Sequence, residues 1–183
     1  MAVRIKSQWH KENRGRSTEE IAGAVAFNCL KLAIDKAMNL HTERFRYESP
    51  EQHLGVIMEY LIFQAQIVDR LAYGRLDEEQ RQPLIVALAR RLAEHIQDNG
   101  VESCGPGDYS TPFIERFNQR SAEYAELGFT EDGPSYPFLR HLGYQIQRLM
   151  GESQENRWVI DQVMDQDAPE VYRQLKRALL NMI

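Results

Sequence analysis

The sequence predicts an all-α fold, an irregular bundle of about seven helices with a minor two-stranded ribbon near the N-terminus. Three observations carry that expectation. Helix-starting signals recur along the chain, the apolar residues between them repeat with a period near 3.6, and period-two alternation is confined to two four-residue stretches. With 43% hydrophobic and 27% charged residues, and only 7 Pro and 11 Gly in 183, the composition is that of an ordinary globular chain rather than a disordered or fibrous one. That length supports one core without help from metals or disulfides.

Ser17 and Glu20 make a capping-box pattern ahead of an apolar run that ends near Leu40. Ser49-Pro50-Glu51-Gln52 opens a second run to about Tyr73, with Gly74 beyond it. Asp77 caps a third helix that stops at Asn99-Gly100, with Pro83 either kinking it or standing near its true start. After a glycine-rich loop, Thr111-Pro112 starts a fourth helix that ends at Leu127-Gly128. A turn around Asp132-Gly133-Pro134 then leads to a fifth over residues 136–150. Two shorter helices finish the chain, one over residues 154–165 and one that begins at Asp167-Ala168-Pro169-Glu170 and runs to about residue 181. Val3-Arg4-Ile5-Lys6 and Arg44-Phe45-Arg46-Tyr47 alternate with period two, so they either pair as the ribbon or leave the first as an extended arm.

The second helix is apolar on most sides and belongs in the middle of the bundle; its polar residues, Gln52, Glu59, Gln66 and Tyr73, recur every seven positions along one line. The first carries a small-residue line, Ala22, Ala26, Cys29, Ala33 and Ala37, which lets another backbone come close. Helices one and two are therefore expected to be antiparallel neighbours. Val171, Leu175, Ala178, Leu179 and Met182 give the last helix an apolar face that either closes the bundle or meets another subunit.

Charge divides the chain into a basic arm, residues 1–16, and a single helical domain, residues 17–183. The arm has a formal charge of +4, which leaves −9 for the remainder. Arg4, Lys6, Trp9, Lys11, Arg14 and Arg16 are the arm's candidate contacts to phosphates or to an acidic partner, although the acidic body argues against nucleic acid as the main partner. No secretion-signal pattern and no 18-residue apolar stretch occurs, so no membrane span is expected. Cys29 and Cys104 stand far apart and outside any metal-binding spacing, which fits a reducing cytosol.

The familiar catalytic patterns are missing: no Glu-x-x-His pair for a di-iron bundle, no His-Glu-x-x-His, no phosphate-binding Gly-x-x-x-x-Gly-Lys-Ser/Thr, no Gly-x-Ser-x-Gly and no dinucleotide glycine fingerprint. No cofactor is expected, and no residue can be assigned a catalytic role. Two candidate constellations remain. Glu59 with His141, Tyr144 and Arg148, the last three sharing a helix face, could hold an anionic ligand, with arginine as the clamp; the plainer reading of that face is solvation. His41 and His53 fall near the same end of the first two helices and could hold a divalent metal; the plainer reading is two helix-end histidines. The Cys104-Gly105-Pro106-Gly107-Asp108 loop before the fourth helix reads first as a turn, since Asp108 would repel an anion there. On balance the sequence suggests a non-catalytic interaction protein, homodimeric, acting through an unidentified protein partner. A ligand- or metal-binding bundle, or an enzyme of a kind not yet described, is the alternative, and a nucleic-acid-associated factor using the arm is a third.

Overall fold

The structure, a computed structural model, describes residues 16–42, 45–151, 153, 155–180 and 182. The elements run α1 (Thr18–Thr42), α2 (Pro50–Ala72), α3 (Glu78–Cys104), α4 (Ser110–Ala125), a hairpin of β1 (Phe129–Thr130) and β2 (Gly133–Pro134), α5 (Tyr136–Met150), α6 (Val159–Gln162), a π-helical turn (Val163–Asp167) and α7 (Ala168–Leu179). The fold is all-α with a minor antiparallel ribbon.

The starts follow the capping chemistry that the sequence carries. Glu20 N–H donates to Ser17 Oγ at 3.2 Å while Ser17 N–H donates to Glu20 Oε2 at 2.8 Å, a reciprocal box. Ser49, Asp77 and Ser135 each accept from the backbone N–H three residues on. Pro83 is tolerated inside α3, whose start stays at Asp77.

Three expectations need correction. The paired strands lie at residues 129–134, not at residues 3–6 and 44–47. Of the predicted ribbon, Val3 to Lys6 and Arg44 fall outside the described residues, and Phe45 to Tyr47 are irregular. The third helix runs past Asn99-Gly100 to Cys104, because Gly100 serves as a gap and not as a stop: a Cβ there would lie 2.3 Å from the Tyr109 ring. The two terminal helices are one rod, since α6, the π-turn and α7 follow without interruption. Asp167, the expected cap, turns inward instead and accepts the Tyr60 hydroxyl at 2.8 Å.

α2 is the central helix, buried along nearly its whole length from Leu54 to Val68, as its all-round apolarity predicts. It lies antiparallel to α1, where Gln64 Nε2 donates to the Cys29 carbonyl at 3.0 Å and all five small residues of the α1 line are buried. α1 also packs against α3, with Glu19 beside Arg90 and Arg91. α4, α5 and α7 complete the shell around α2. A second buried polar cluster fixes the rod: Lys36 of α1 is 2.6 Å from Glu170 and 3.9 Å from Asp167.

Close approach of α5 and α6 depends on Gly143, where a Cβ would sit 2.9 Å from the Ile160 carbonyl oxygen, a backbone atom that cannot swing aside. Gly143→Ala should therefore cost about 1–3 kcal/mol in urea unfolding. Gly23→Ala, in α1 with nothing within 4 Å of the added carbon, should stabilise by about 0.5–1 kcal/mol. A neutral Gly143→Ala would show that the two backbones do not meet there.

Candidate functional site

The polar line of α2 does not face solvent. Gln52 Nε2 donates to the Leu149 carbonyl of α5 at 2.8 Å, Glu59 pairs with Arg120 of α4, and Gln66 Nε2 donates to Ser121 Oγ at 2.8 Å. Each side chain that the apolar pattern of α2 leaves over finds a partner on the two helices packed there. Only Tyr73, at the end of the line, is exposed.

Glu59 is the charged member of that line, and its side chain is only 2% exposed. A carboxylate so placed needs several donors to stay ionised. Arg120 provides them: Nε lies 3.3 and 3.1 Å from the two carboxylate oxygens, and one terminal nitrogen donates at 3.2 Å. The other terminal nitrogen of Arg120 reaches Glu123 at 3.1 and 3.0 Å. Glu123 in turn meets His141 Nε2 at 2.9 Å and accepts from Gln119 at 3.0 Å. The result is a chain of alternating charge, Glu59, Arg120, Glu123, His141, that ties α2 to α4 and α4 to α5. Burial pushes the Glu123 carboxyl up, but Gln119, Arg120 and His141 outweigh it and hold it below its ordinary value. Tyr124, edge-on to His141, keeps a buried hydroxyl with no hydrogen-bond partner, and burial together with the Glu59 charge pushes its pKa well up.

On the outer side of Glu59 and Arg120 a cleft of about 490 Å³ opens between α4 and α5. Arg116, Gln145 and Arg148 line it with them, Glu115 stands on its rim, and Pro112 and Leu149 are its apolar walls. Arg116 places one terminal nitrogen 3.8 Å from Glu59 and 3.4 Å from the Gly55 carbonyl. Gln145 is 5% exposed, and its amide has no hydrogen-bond partner among the described residues. Arg148 lies over the Tyr144 ring at 5.8 Å and has no carboxylate partner among those residues.

Of the residues that the sequence singles out, Glu59 and Arg148 line one cleft, Tyr144 supports Arg148 from the exposed side, and His141 joins Glu59 only through Glu123 and Arg120. Sequence reasoning missed Arg116, Arg120, Glu123 and Gln145. The signal was there: 116, 120 and 123 fall at i, i+4 and i+7, and 141, 145 and 148 repeat that spacing on the facing helix.

His41 and His53 do come to one end of α1 and α2, beside an apolar hollow of about 600 Å³ walled by Met38, Tyr47 and Pro50. Both rings contact Tyr47, with centroids at 6.2 and 4.7 Å. Burial and then the nearby His41 push the His53 pKa down. No group of three or more His, Cys, Asp or Glu is placed to hold a metal among the described residues. At the start of α4, Asp108 Oδ1 accepts from Thr111 N–H at 3.0 Å and so occupies the helix terminus itself, which holds its carboxyl below the ordinary value. Of the arm residues only Arg16 is described, and it is exposed; Arg4, Lys6, Trp9, Lys11 and Arg14 lie outside the described residues. No helix among those residues is long and apolar enough to cross a membrane.

In comparisons with known proteins, no family model, no curated sequence and no solved structure matches this chain. The site's geometry therefore carries the functional reading.

Removing one partner of the Glu59–Arg120 pair leaves the other buried and uncompensated, so Glu59→Met and Arg120→Met should each cost about 3–5 kcal/mol. The double variant should cost less than the two losses together, and urea unfolding of the four proteins measures the difference. Strictly additive losses would mean that the contact contributes nothing. Because the folded value of Glu123 lies below its unfolded value of 4.5, its contribution is complete above that pH and is lost as the pH falls through the folded value. In acid unfolding from about pH 5 to 3, Glu123→Gln should thus lose stability less steeply than wild type; equal slopes would remove the Glu123 contribution.

Proposed function

We propose that this protein is a binding module that receives a small polar molecule in the cleft between α4 and α5, above the Glu59–Arg120 pair. The observation that carries this reading is Gln145. Gln145 is only 5% exposed, its amide makes no hydrogen bond among the described residues, and the part of it that reaches solvent lines the cleft, so its donor and acceptor are open to whatever enters there. Around it the guanidinium groups of Arg116 and Arg148 are held by Glu59 and by Tyr144, so the polar groups are positioned before a ligand arrives. The reading includes no catalytic step: His141, the natural proton carrier, is spent on Glu123 and does not line the cleft. Two unpaired cysteines, Cys29 buried with its thiol pushed up to about 12 and Cys104 half-buried, favour a reducing compartment such as the cytosol.

A second reading, homodimeric association, is favoured by a separate groove of about 950 Å³ between α3 and α4. Ile85, Val86, Ala89, Ala93, Ile114 and Phe117 make its apolar floor, and its charged residues are Arg90 against Glu94, Asp98 and Glu115. A surface apolar in the middle and mixed in charge at the edge can be self-complementary about a twofold axis.

One experiment addresses both readings. Native mass spectrometry of protein purified without added metal or chelator reports subunit count and retained mass, and thermal unfolding against a panel of small polar metabolites finds ligands that wash off. At ten times Kd a ligand stabilises by about 1.4 kcal/mol, which for a chain of this size shifts Tm by roughly 3–6 °C. We expect such shifts in wild type and their loss in Gln145→Leu. Bare chains with no stabilising compound would end the ligand reading, and a monomer would end the second one.

A further inference from the structure

We propose that the group this cleft recognises is an oxyanion, a carboxylate or a phosphate, held between the guanidinium groups of Arg116 and Arg148 with the Gln145 amide as a third donor. The assignment rests on the binding reading above and adds the ligand's chemistry.

The argument is a balance of donors and acceptors. Glu59 and Glu115 are the acidic groups at the cleft, and Arg116, Arg120 and Arg148 are the basic ones. Glu59 is already committed, because it accepts three contacts from Arg120 and has Arg116 beside it at 3.8 Å. Little of its acceptor capacity is left for a ligand cation. Arg120 is committed as well, divided between Glu59 and Glu123. Apart from the exposed Glu115 carboxylate and the Gln119 and Gln145 carbonyl oxygens, what remains unmatched at the cleft is on the donor side, where the charge is positive. Arg116 has one terminal nitrogen engaged, and its other donors meet no acceptor among the described residues. Arg148 has only the Tyr144 ring. Gln145 can turn its NH₂ toward the same space.

Two planar forks and an amide fit the oxygens of a carboxylate or phosphate, which accept paired N–H bonds along their edges. A cation would have to approach two guanidinium charges with only the exposed Glu115 to attract it. Pro112 and Leu149 leave room beside the donors for a short apolar remainder of the ligand. Glu59 is then a positioning residue: it touches no ligand atom in this scheme but holds Arg116 and Arg120 in place.

The test is a titration of the full-length ¹⁵N-labelled protein, followed by NMR at constant ionic strength, with four probes: inorganic phosphate, propionate, propionamide and choline. We expect at least one of the two anions to shift the backbone amides of residues 113–120 and 145–149 saturably, and which anion does so separates phosphate from carboxylate. Arg148→Gln should weaken that binding roughly tenfold, as expected for loss of a charge-assisted contact, and Arg116→Gln with Arg148→Gln should abolish it. Arg148 is exposed, so Arg148→Gln should melt at the wild-type temperature and separate lost binding from lost fold. If propionamide or choline saturates these amides and neither anion does, the oxyanion assignment fails while the binding reading stands. If anion shifts persist undiminished in both arginine variants, the anion sits elsewhere and the assignment fails. If no probe saturates, the oxyanion assignment fails, and the binding reading is decided separately by the metabolite panel.

Discussion

A carboxylate in the middle of the most buried helix is the constraint on which the other helices turn. Glu59 follows from no apolar pattern, and an isolated ionised carboxylate at that depth would be prohibitively unfavourable. Its requirement for donors fixes where α4 lies, because Arg120 must present three N–H contacts from one direction. Once Arg120 is fixed, Glu123 and His141 decide how α5 sits against α4. Gln52 and Gln66, one step along the same line in each direction, hold α5 and α4 at the two ends. Apolar packing alone permits helices to slide and rotate by small amounts, whereas this polar seam admits one register.

The same logic explains why the cleft and the core are adjacent. Arg120 spans the boundary: its buried half satisfies Glu59, and the groove beside it exposes the groups that the pair does not need. A charged pair of this kind is weak evidence for stability, since a well-packed apolar replacement is often as stable. Its value here is geometric. It holds Arg116 beside Glu59, on the wall of the cleft that Arg148 lines from the facing helix.

Much of the fold was legible because helix termini advertise themselves. The Ser17–Glu20 box, the Asp77 cap and the Pro50 start all read from the residues and all stand in the structure. The failures came where one residue type serves two purposes. Gly100 looks like a stop signal, but it makes room for Tyr109, and Asp167 looks like a cap, but it is the buried acceptor of Tyr60. Distinguishing those uses requires knowing what lies across the gap, which is tertiary information. The site was half legible for the same reason. Glu59 stood out on the polar line of the second helix and Arg148 on a helix face, while Arg116, Arg120 and Glu123 acquire their role only when α2 is placed against α4.

The π-turn at Val163–Asp167 sets one rod to serve two neighbours. A wide turn holds about one residue more than an α-helical turn, and each residue of an α-helix advances the side-chain direction by about 100°. The buried stripe is therefore stepped around the axis between its two halves. Val159 and Val163 face α5, while Val171, Leu175 and Leu179 belong to the part that packs on α1 and α2. Where the sequence promises two helices and a joint, the chain keeps its backbone ladder unbroken and changes direction of address within it. The buried acid Asp167 ends that step, so the place where the rod switches partners is also the place where it is anchored.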